Sequence, residues 1–289
     1  MNPDILVCPL CGGRLEAVGS ALHCASGHAF DIASSGYCNL MRPGKLHNRR
    51  SGDDAQMVSA RRRFLSAGYY RPLRDAVTDV LRKYAKGGAV LDAGCGEGYY
   101  TNAFAADEAF TGVIGVDASK YAVDKAAKEA RRLGLSEATT YITANFTDMP
   151  VKSGSAAAVT SIFAPCAYGE FSRVLEEGGG TAVVVSAGER HLYELKALLY
   201  GSENVRENRE IDHGGAAAPF GFEVIGRSRL EYRENVEGEE TIAALYMMTP
   251  YSKRTSRSDA DRLLGCASLN LNFDFDITVL RKERAEKAT

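Results

Sequence analysis

The chain has 289 residues, 45% of them hydrophobic, and a formal net charge of −2 at pH 7. This composition is typical of a globular protein with room for a main domain and an appendage, and the net charge alone predicts no polyanionic partner. The sequence shows no apolar run of membrane-spanning length and no leader at its start, so we expect a cytoplasmic protein with no membrane contact.

The first part of the chain carries two close-set pairs of metal-ligating side chains. Cys8 and Cys11 form one pair, and Cys24 and His28 form the other. Each pair needs only a tight turn to reach one ion, and sulfur and imidazole ligands favour tetrahedral zinc. All four ligand positions are filled, which indicates structural rather than catalytic zinc. We therefore predict a zinc-binding module at residues 1–40, a segment too short to form a core without metal.

Residues 41–86 are basic, and we predict that they form a linker and helices leading into the main domain. Residues 1–86 carry 13 Lys and Arg against 7 Asp and Glu, whereas residues 87–289 carry 22 against 30. The positive side chains are concentrated at Arg42, Lys45, Arg49, Arg50, Arg61, Arg62 and Arg63. Beside a zinc module, such a cluster is a candidate surface for RNA phosphates. The alternative is a solvated surface on which Arg62 or Arg63 pairs with acidic groups.

Two helices are predicted in this basic region from apolar residues spaced three and four positions apart. The first begins at residue 55, with Asp53 or Asp54 as its N-cap, and its apolar face includes Met57 and Phe64. The second covers residues 72–84.

Residues 87–289 alternate between buried strands and helices. The predicted strands are 89–93, 112–116, 141–144, 157–163 and 181–186. The predicted helices are 119–133, 168–175 and 190–200. This alternation indicates a mostly parallel sheet with helices on both faces. In the tail, two β-rich segments, 222–232 and 269–280, flank a helix at 239–248, which predicts an antiparallel edge.

The turn after the first of these strands is rich in glycine. Asp92 lies near the end of the strand, and Gly94, Gly96 and Gly98 follow at alternate positions. Glycines so placed let the backbone approach a ligand closely and open a helix tightly. Nicotinamide-binding folds space their glycines as G-x-G-x-x-G instead. Asp117, at the end of the next strand, is positioned to bind the two hydroxyls of a ribose.

Together these features resemble the class I S-adenosylmethionine-dependent methyltransferases, which have a Rossmann-like α/β fold. The resemblance implies an S-adenosylmethionine site at the glycine loop and at Asp117. It also implies a polar contact to adenine after the third strand, where Asn145 stands. The alternative for Asn145 is a simple turn residue.

Cys166 admits a different chemistry. It follows Pro165, and a similar dipeptide carries the nucleophilic thiolate of cytosine C5 methyltransferases. The simpler interpretation is a small residue in the wall of the site. The four cysteines outside the predicted zinc site form no disulfide-like framework, which fits a reducing compartment.

The whole chain resembles one family, the bacterial 23S ribosomal RNA guanine-N1 methyltransferases. The stretches that carry the resemblance include CPLC at 8–11, GYCNL at 36–40, ARRRFL at 60–65, GCGEGYYT at 94–101, APC at 164–166 and MTP at 248–250. The resemblance implies zinc at the four Cys and His ligands. It implies cofactor contacts at Tyr70, Gly96, Glu97 and His191.

The activity that this resemblance implies is methyl transfer from S-adenosylmethionine to N1 of a guanine. The implied substrate is a hairpin in domain II of 23S rRNA near the drug-binding exit tunnel. A link to macrolide response is an open alternative for the function, and a homodimer is an open alternative for the assembly. The sequence identifies no general base. The alternatives are an RNA cytosine-C5 methyltransferase that uses Cys166, and a noncatalytic RNA-binding adaptor that keeps the fold as a scaffold.

Overall fold

Two β-sheets organise the chain, and the computed structural model describes residues 3–42, 54–85 and 87–283. The smaller sheet is antiparallel, with strands β1 (Leu15–Val18), β2 (Ala21–Cys24) and β3 (Ala29–Asp31). The larger sheet contains β4 (Tyr37–Asn39), β5 (Ala89–Ala93), β6 (Gly112–Asp117), β7 (Thr139–Thr143), β8 (Ala158–Ile162), β9 (Thr181–Ala187), β10 (Phe222–Glu237) and β11 (Ser268–Lys282). Its strand order is β10-β11-β9-β8-β5-β6-β7-β4.

Helices connect these strands. They are α1 (Ala55–Ser66), α2 (Arg71–Tyr84), α3 (Tyr99–Ala105), α4 (Lys120–Arg132), α5 (Tyr168–Val174), α6 (Tyr193–Tyr200), α7 (His213–Ala217), α8 (Glu239–Met248) and α9 (Arg257–Leu264). In the described part of the chain, no helix combines the length and the apolar character needed to cross a bilayer.

The predicted parallel sheet is confirmed. Strands β4 to β9 pair in parallel wherever they are neighbours. Every residue of β7 and β8 is buried, because helices cover both faces of the sheet. For the five strands predicted in this parallel part, the bounds differ from the observed ones by no more than two residues at either end.

The predicted antiparallel edge is also confirmed, and its strands are longer than predicted. β11 pairs antiparallel with both β9 and β10. Phe273 and Phe275 of β11 are fully buried in the core, together with Phe64 of α1 and Leu73 of α2. β11 therefore packs the N-terminal helices onto the sheet.

The zinc-binding segment is joined to the larger sheet by backbone pairing. β4 lies beside β7, with Cys38 opposite Ile142, and Leu6 forms an antiparallel bridge with Val151. Buried residues from both parts form one apolar cluster. The domain bounds 1–40, 41–86 and 87–289 stay predictions, and β4, at the end of the first, belongs to the sheet of the third.

Helix α1 begins where the sequence predicts. The Asp54 carboxylate accepts hydrogen bonds from the amides of Gln56 (3.0 Å) and Met57 (2.9 Å), so Asp54 is the N-cap. The other candidate cap, Asp53, lies outside the described residues. So do Lys45, Arg49 and Arg50 of the basic cluster.

Candidate cofactor and metal sites

The four predicted metal ligands converge in the structure. Their ligand atoms all lie within 4.8 Å of one another. Cys11 Sγ is 3.6 Å from Cys24 Sγ, and His28 Nδ1 is 3.5 Å from Cys8 Sγ and 3.3 Å from Cys24 Sγ. A zinc ion with ligands at about 2.0–2.3 Å has tetrahedral edges of roughly 3.5–3.8 Å. The cluster fits zinc, and it would bind the ion through Nδ1 of the histidine.

Two glycine turns shape this cluster. Gly12 and Gly27 have φ of 73° and 83°. Their amides donate to the carbonyls of Cys8 (2.8 Å) and Cys24 (3.0 Å), the first ligand of each pair. A hydrogen bond from the side chain of Ser26 helps lower the pKa of Cys11 to about 6. The thiolate form required by a metal is therefore favoured.

The glycine loop lies between β5 and α3 and is packed tightly on both sides. Gly94, Gly96 and Gly98 all have positive φ, at 84°, 54° and 83°. A Cβ on Gly94 would lie 2.6 Å from Cβ of Ala164, and one on Gly98 would lie 2.6 Å from Oη of Tyr141. At Gly94 and Gly98 the loop can therefore hold its conformation and keep its neighbours only with glycine, whereas at Gly96 an added Cβ would meet only Nη1 of Arg61, at 3.5 Å.

Asp117 holds the loop in place from the end of β6. One carboxylate oxygen accepts the Gly96 amide at 3.0 Å, and the other accepts the Ser119 amide at 2.7 Å. Its predicted contact with a ribose stays a prediction. The structure adds a second role, since the same carboxylate orients the backbone of the loop.

Asp92 lies beneath the loop. It is buried, and its two carboxylate oxygens accept hydrogen bonds from Thr101 Oγ1 (2.6 Å) and Thr160 Oγ1 (2.7 Å). Burial raises its pKa to about 6. Asp92 thereby links β5 to α3 and β8, and we propose that it supports the cofactor loop through these two hydroxyls.

Glu97 is buried at the start of α3. Burial raises its pKa to about 7, although Arg62, 3.6 Å away, acts in the opposite direction. Arg62 also forms an ion pair with Glu129 at 2.5 Å, and Arg63 pairs with Glu240. The alternative prediction for these two arginines, pairing with acidic groups, is therefore what the structure shows.

The raised pKa of Glu97 predicts a pH-dependent contribution to stability. Its ordinary value is 4.5, so the folded state binds the proton more tightly. The protonated Glu97 side chain therefore stabilises the folded state. This contribution to the free energy of unfolding is complete below pH 4.5 and is lost as the pH rises through about 7. The free energy of unfolding of the unsubstituted protein, minus that of the Glu97→Gln variant, should therefore fall between about pH 5 and about pH 8. Urea titrations measure this difference.

The matched control is Glu240→Gln. Glu240 also pairs with an arginine of α1, but its side chain is 83% exposed. The same urea titrations of Glu240→Gln measure the effect of removing a surface carboxylate that pairs with α1. A constant difference for Glu97→Gln would contradict the prediction.

Tyr70 and His191 meet at the other end of the site. The Asp274 amide of β11 donates to His191 Nδ1 at 3.2 Å. In a neutral imidazole, Nε2 then carries the hydrogen and donates to Tyr70 Oη, 3.1 Å away. Burial lowers the pKa of His191 to about 3, so the ring is neutral at pH 7. Its cofactor contact stays a prediction.

No sequence pattern pointed to Asp274, whose backbone amide orients His191. The Asp274 side chain is fully buried and accepts two hydrogen bonds from Arg229, both at 2.7 Å. It also accepts the Arg190 amide at 2.8 Å. Strict alternation in β11 marks Asp274 only as a polar strand residue, so no local signal distinguishes it.

Asn145 occupies a turn after β7. Its side-chain oxygen accepts the Thr147 amide at 3.1 Å, as its alternative interpretation requires, and its contact with adenine stays a prediction. The following residues touch the zinc-binding segment: the Val7 amide donates to the Pro150 carbonyl at 2.9 Å. Arg42 lies 3.4 Å from Asp148.

The environment of Cys166 differs from that of a nucleophilic cysteine. Burial raises the pKa of its thiol, whereas nucleophilic cysteines have a lowered pKa and a nearby cation. Its sulfur lies 3.7 Å from Ser161 Oγ. These surroundings favour the simpler interpretation of Cys166 as part of the site wall.

Arg61 is a further residue that the sequence analysis assigned only to the basic cluster. Its Nη1 atom lies 3.5 Å from where a Cβ on Gly96 would be. Its charge also acts on the pKa of Tyr70 and Glu97. Arg61 therefore lies beside the glycine loop, and its charge acts on groups of the candidate site.

Comparison with known proteins covers both parts of the chain. Residues 6–48 match the family described as RlmA, N-terminal, and residues 90–179 match the family described as Methyltransferase domain. Among solved structures, the YcgJ protein from Bacillus subtilis has a TM-score of 0.50 and 16% identity, covering 72% of this chain and 98% of that chain. That likeness shows the class I methyltransferase fold.

Three curated relatives extend the match. The 23S rRNA (guanine(748)-N(1))-methyltransferase of Streptomyces fradiae is 36% identical over 230 residues, 78% of each chain. Relatives from Micromonospora griseorubida and Bacillus subtilis (YxjB) carry provisional names as 23S rRNA (guanine-N(1)-)-methyltransferases. The Micromonospora relative is 35% identical, and the match covers 86% of this chain and 88% of the relative. The Bacillus relative is 30% identical, and the match covers 94% of this chain and 95% of the relative. With a zinc cluster, a glycine loop and this similarity over most of its length, the chain belongs to the 23S rRNA (guanine-N1)-methyltransferase family.

Proposed function

We propose that this protein transfers a methyl group from S-adenosylmethionine to N1 of a guanine in 23S rRNA. The observation that carries the proposal is the similarity to 23S rRNA guanine-N1 methyltransferases across both the zinc-binding segment and the methyltransferase domain. The structure supports it with a cysteine and histidine cluster of zinc dimensions and a glycine loop at the ends of parallel strands.

The residues proposed to hold S-adenosylmethionine are those of the glycine loop and its surroundings: Tyr70, Asp92, Gly94, Gly96, Glu97, Gly98, Asp117, Asn145 and His191. When bound, S-adenosylmethionine supplies a methyl group already activated by its sulfonium. The chain then contributes mainly by positioning the two reactants. Zinc would be held by Cys8, Cys11, Cys24 and His28 in a structural role.

The position of N1 on guanine constrains how the RNA must be bound. N1 lies on the Watson–Crick edge and carries a proton in neutral guanine, so the base must be unpaired or flipped out of its helix. We propose the domain II hairpin as the RNA element and the cytoplasm as the compartment. The homodimer stays a prediction, which light scattering of the purified protein would check.

The function is tested by incubating the protein with unmodified 23S rRNA and S-adenosylmethionine. We expect 1-methylguanosine in the digested RNA by mass spectrometry, and a reverse-transcription stop at one hairpin position. The name of the Streptomyces relative gives position 748 as the first to inspect. Formation of 5-methylcytidine would instead support the alternative based on Cys166. Cofactor and RNA binding without methylation would support an adaptor.

Asp117→Ala is expected to weaken binding of S-adenosylhomocysteine. The substitution removes the proposed ribose contact and the acceptor for the Gly96 amide, and a loss of about 1–3 kcal/mol is typical of such a change. Isothermal titration calorimetry measures the affinity. Asp124→Ala is the control, because Asp124 is in the neighbouring helix α4 and forms an ion pair with Lys128 at 2.7 Å. Equal affinities in the two variants would refute the assignment of Asp117.

A further inference from the structure

Backbone strain in this chain is concentrated beside the candidate site. Among the described residues other than glycine, φ is positive at Phe163 (54°) and Leu192 (53°). Bulky side chains rarely adopt this conformation, and where they do the surrounding structure must enforce it. Phe163 directly follows β8, and Leu192 follows His191 after the neighbouring strand β9. Both therefore lie at the carboxyl ends of adjacent parallel strands.

The surroundings of Phe163 hold its backbone in place on both sides. Its amide donates to the Val185 carbonyl at 3.0 Å, and the Ser161 hydroxyl donates to the Ala164 carbonyl at 3.1 Å. Ala164 in turn packs against the glycine loop so closely that a Cβ on Gly94 would lie 2.6 Å from it. The turn that carries Phe163 is thus built into the cofactor loop.

This strained backbone presents an aromatic ring to solvent. Phe163 is 45% exposed, although it adjoins a well-packed aromatic cluster. Its ring is stacked on His191, with centroids 6.1 Å apart and planes 27° apart. Tyr70 lies 6.1 Å away and Phe275 5.7 Å away. The ring is therefore supported on the protein side while part of its surface stays uncovered.

The position of Phe163 at the end of β8 indicates which ligand could cover its ring. The strand order places β8 and β9 on one side of β5, and β6 and β7, which carry the proposed ribose and adenine contacts, on the other. The adenosine half of the cofactor is thereby assigned to the side away from Phe163. A planar base arriving from the RNA would meet the exposed ring, and aromatic side chains are the usual platforms for unstacked bases.

We propose that Phe163 is the stacking platform for the guanine that this protein methylates, with His191 as the second layer beneath it. The proposal rests on the proposed function, since it assigns the base-binding part of the same site. In this arrangement the ring holds the extruded guanine next to the glycine loop.

The first test uses the F163W variant, because the chain contains no tryptophan and the new indole is then a single fluorescent reporter. Two RNA fragments are compared: one contains the guanine methylated by the unsubstituted protein, and the other has an abasic site at that position. Anisotropy of labelled RNA confirms that both are bound. We expect strong quenching of indole emission by the first fragment and little by the second. Equal quenching by both, or none by either, would overturn the proposal.

The second test is kinetic and does not depend on F163W folding correctly. Phe163→Leu keeps a large apolar side chain but removes the aromatic face, so kcat/KM for the RNA should fall roughly 5- to 150-fold, the range for loss of a base–aromatic stack. Affinity for S-adenosylhomocysteine should be unchanged, and Phe163→Tyr should retain activity. Full activity of Phe163→Leu would reject the stacking role.

The two levels of proposal fail in different ways. If the unsubstituted protein forms no 1-methylguanosine in 23S rRNA, the proposed function is wrong, and the proposed stacking of guanine on Phe163 is wrong with it. If it forms 1-methylguanosine and Phe163→Leu does so at the same rate, only the platform is wrong.

Discussion

Removing zinc, by chelation or by Cys24→Ser, is expected to unfold the N-terminal segment and to destabilise the larger sheet as well. The segment is too small to fold without its metal, because coordination supplies its folding free energy. Its apolar residues, including Leu6, Leu15 and Leu22, are buried in a cluster that also contains Leu91 and Ile114 of the main sheet. Loss of the segment would uncover that cluster.

Calorimetry should show this as a lower temperature for the main unfolding transition, together with loss of about one zinc per chain measured by atomic emission. The matched control is Cys38→Ser. Cys38 is also buried, in β4, but is outside the metal cluster, so this variant should keep its zinc. Binding of S-adenosylhomocysteine should largely survive metal loss, because the glycine loop and Asp117 lie on β5 and β6 rather than beside β4. A metal-free protein with an unchanged unfolding transition would contradict the expectation.

Gly98→Ala is expected to destabilise the fold and to abolish measurable cofactor binding. At φ of 83° an alanine is strained, which costs about 1–2 kcal/mol. Its Cβ would also lie 2.6 Å from Tyr141 Oη and 2.8 Å from Ala126 Cβ, and such overpacking adds about 1–3 kcal/mol. Because Gly98 ends the loop proposed to hold the cofactor, a backbone shift at Gly98 that relieves this contact would displace the loop.

The Gly134→Ala variant separates the cost of backbone strain from the cost of overpacking. Gly134 also has positive φ, at 74°, but nothing lies within 4 Å of an added Cβ. Its variant should show the strain term alone and bind S-adenosylhomocysteine normally. Urea titration gives the two free energies of unfolding, and calorimetry gives the affinities. If both variants lost the same stability and kept the same affinity, the tight packing around Gly98 would have no functional role.

Local signals explain what could be predicted here. The zinc ligands are recognisable because each pair is close in sequence, and Asp54 is recognisable as a cap because its partners are two and three residues away. The strands β5 to β9 of the parallel core are short apolar runs, so their positions in the chain follow from the local sequence. The glycine loop is recognisable for the same reason, since its glycines and Asp92 are neighbours in the chain.

Other features depend on contacts between residues far apart in sequence. β4 joins the main sheet by pairing with β7, about a hundred residues away. A strand of only three residues has no periodicity from which that partner could be predicted. Arg62 pairs with Glu129 and lies beside Glu97. A charge count places Arg62 in a basic cluster, whereas in the structure it belongs to an ion-pair network.

By itself, therefore, the sequence determined the family, the fold class, the metal ligands and the loop expected to hold the cofactor, because each depends on residues close together in the chain. Only the tertiary structure decided how these parts are connected and which groups are neutral. His191 is neutral because burial against Phe273 and Phe275 of β11 lowers its pKa. Phe163 is part-exposed and has a positive φ, and its amide is bound to Val185 of the neighbouring strand β9. Burial and backbone strain are set by the residues that surround a position, and those come from every part of the chain.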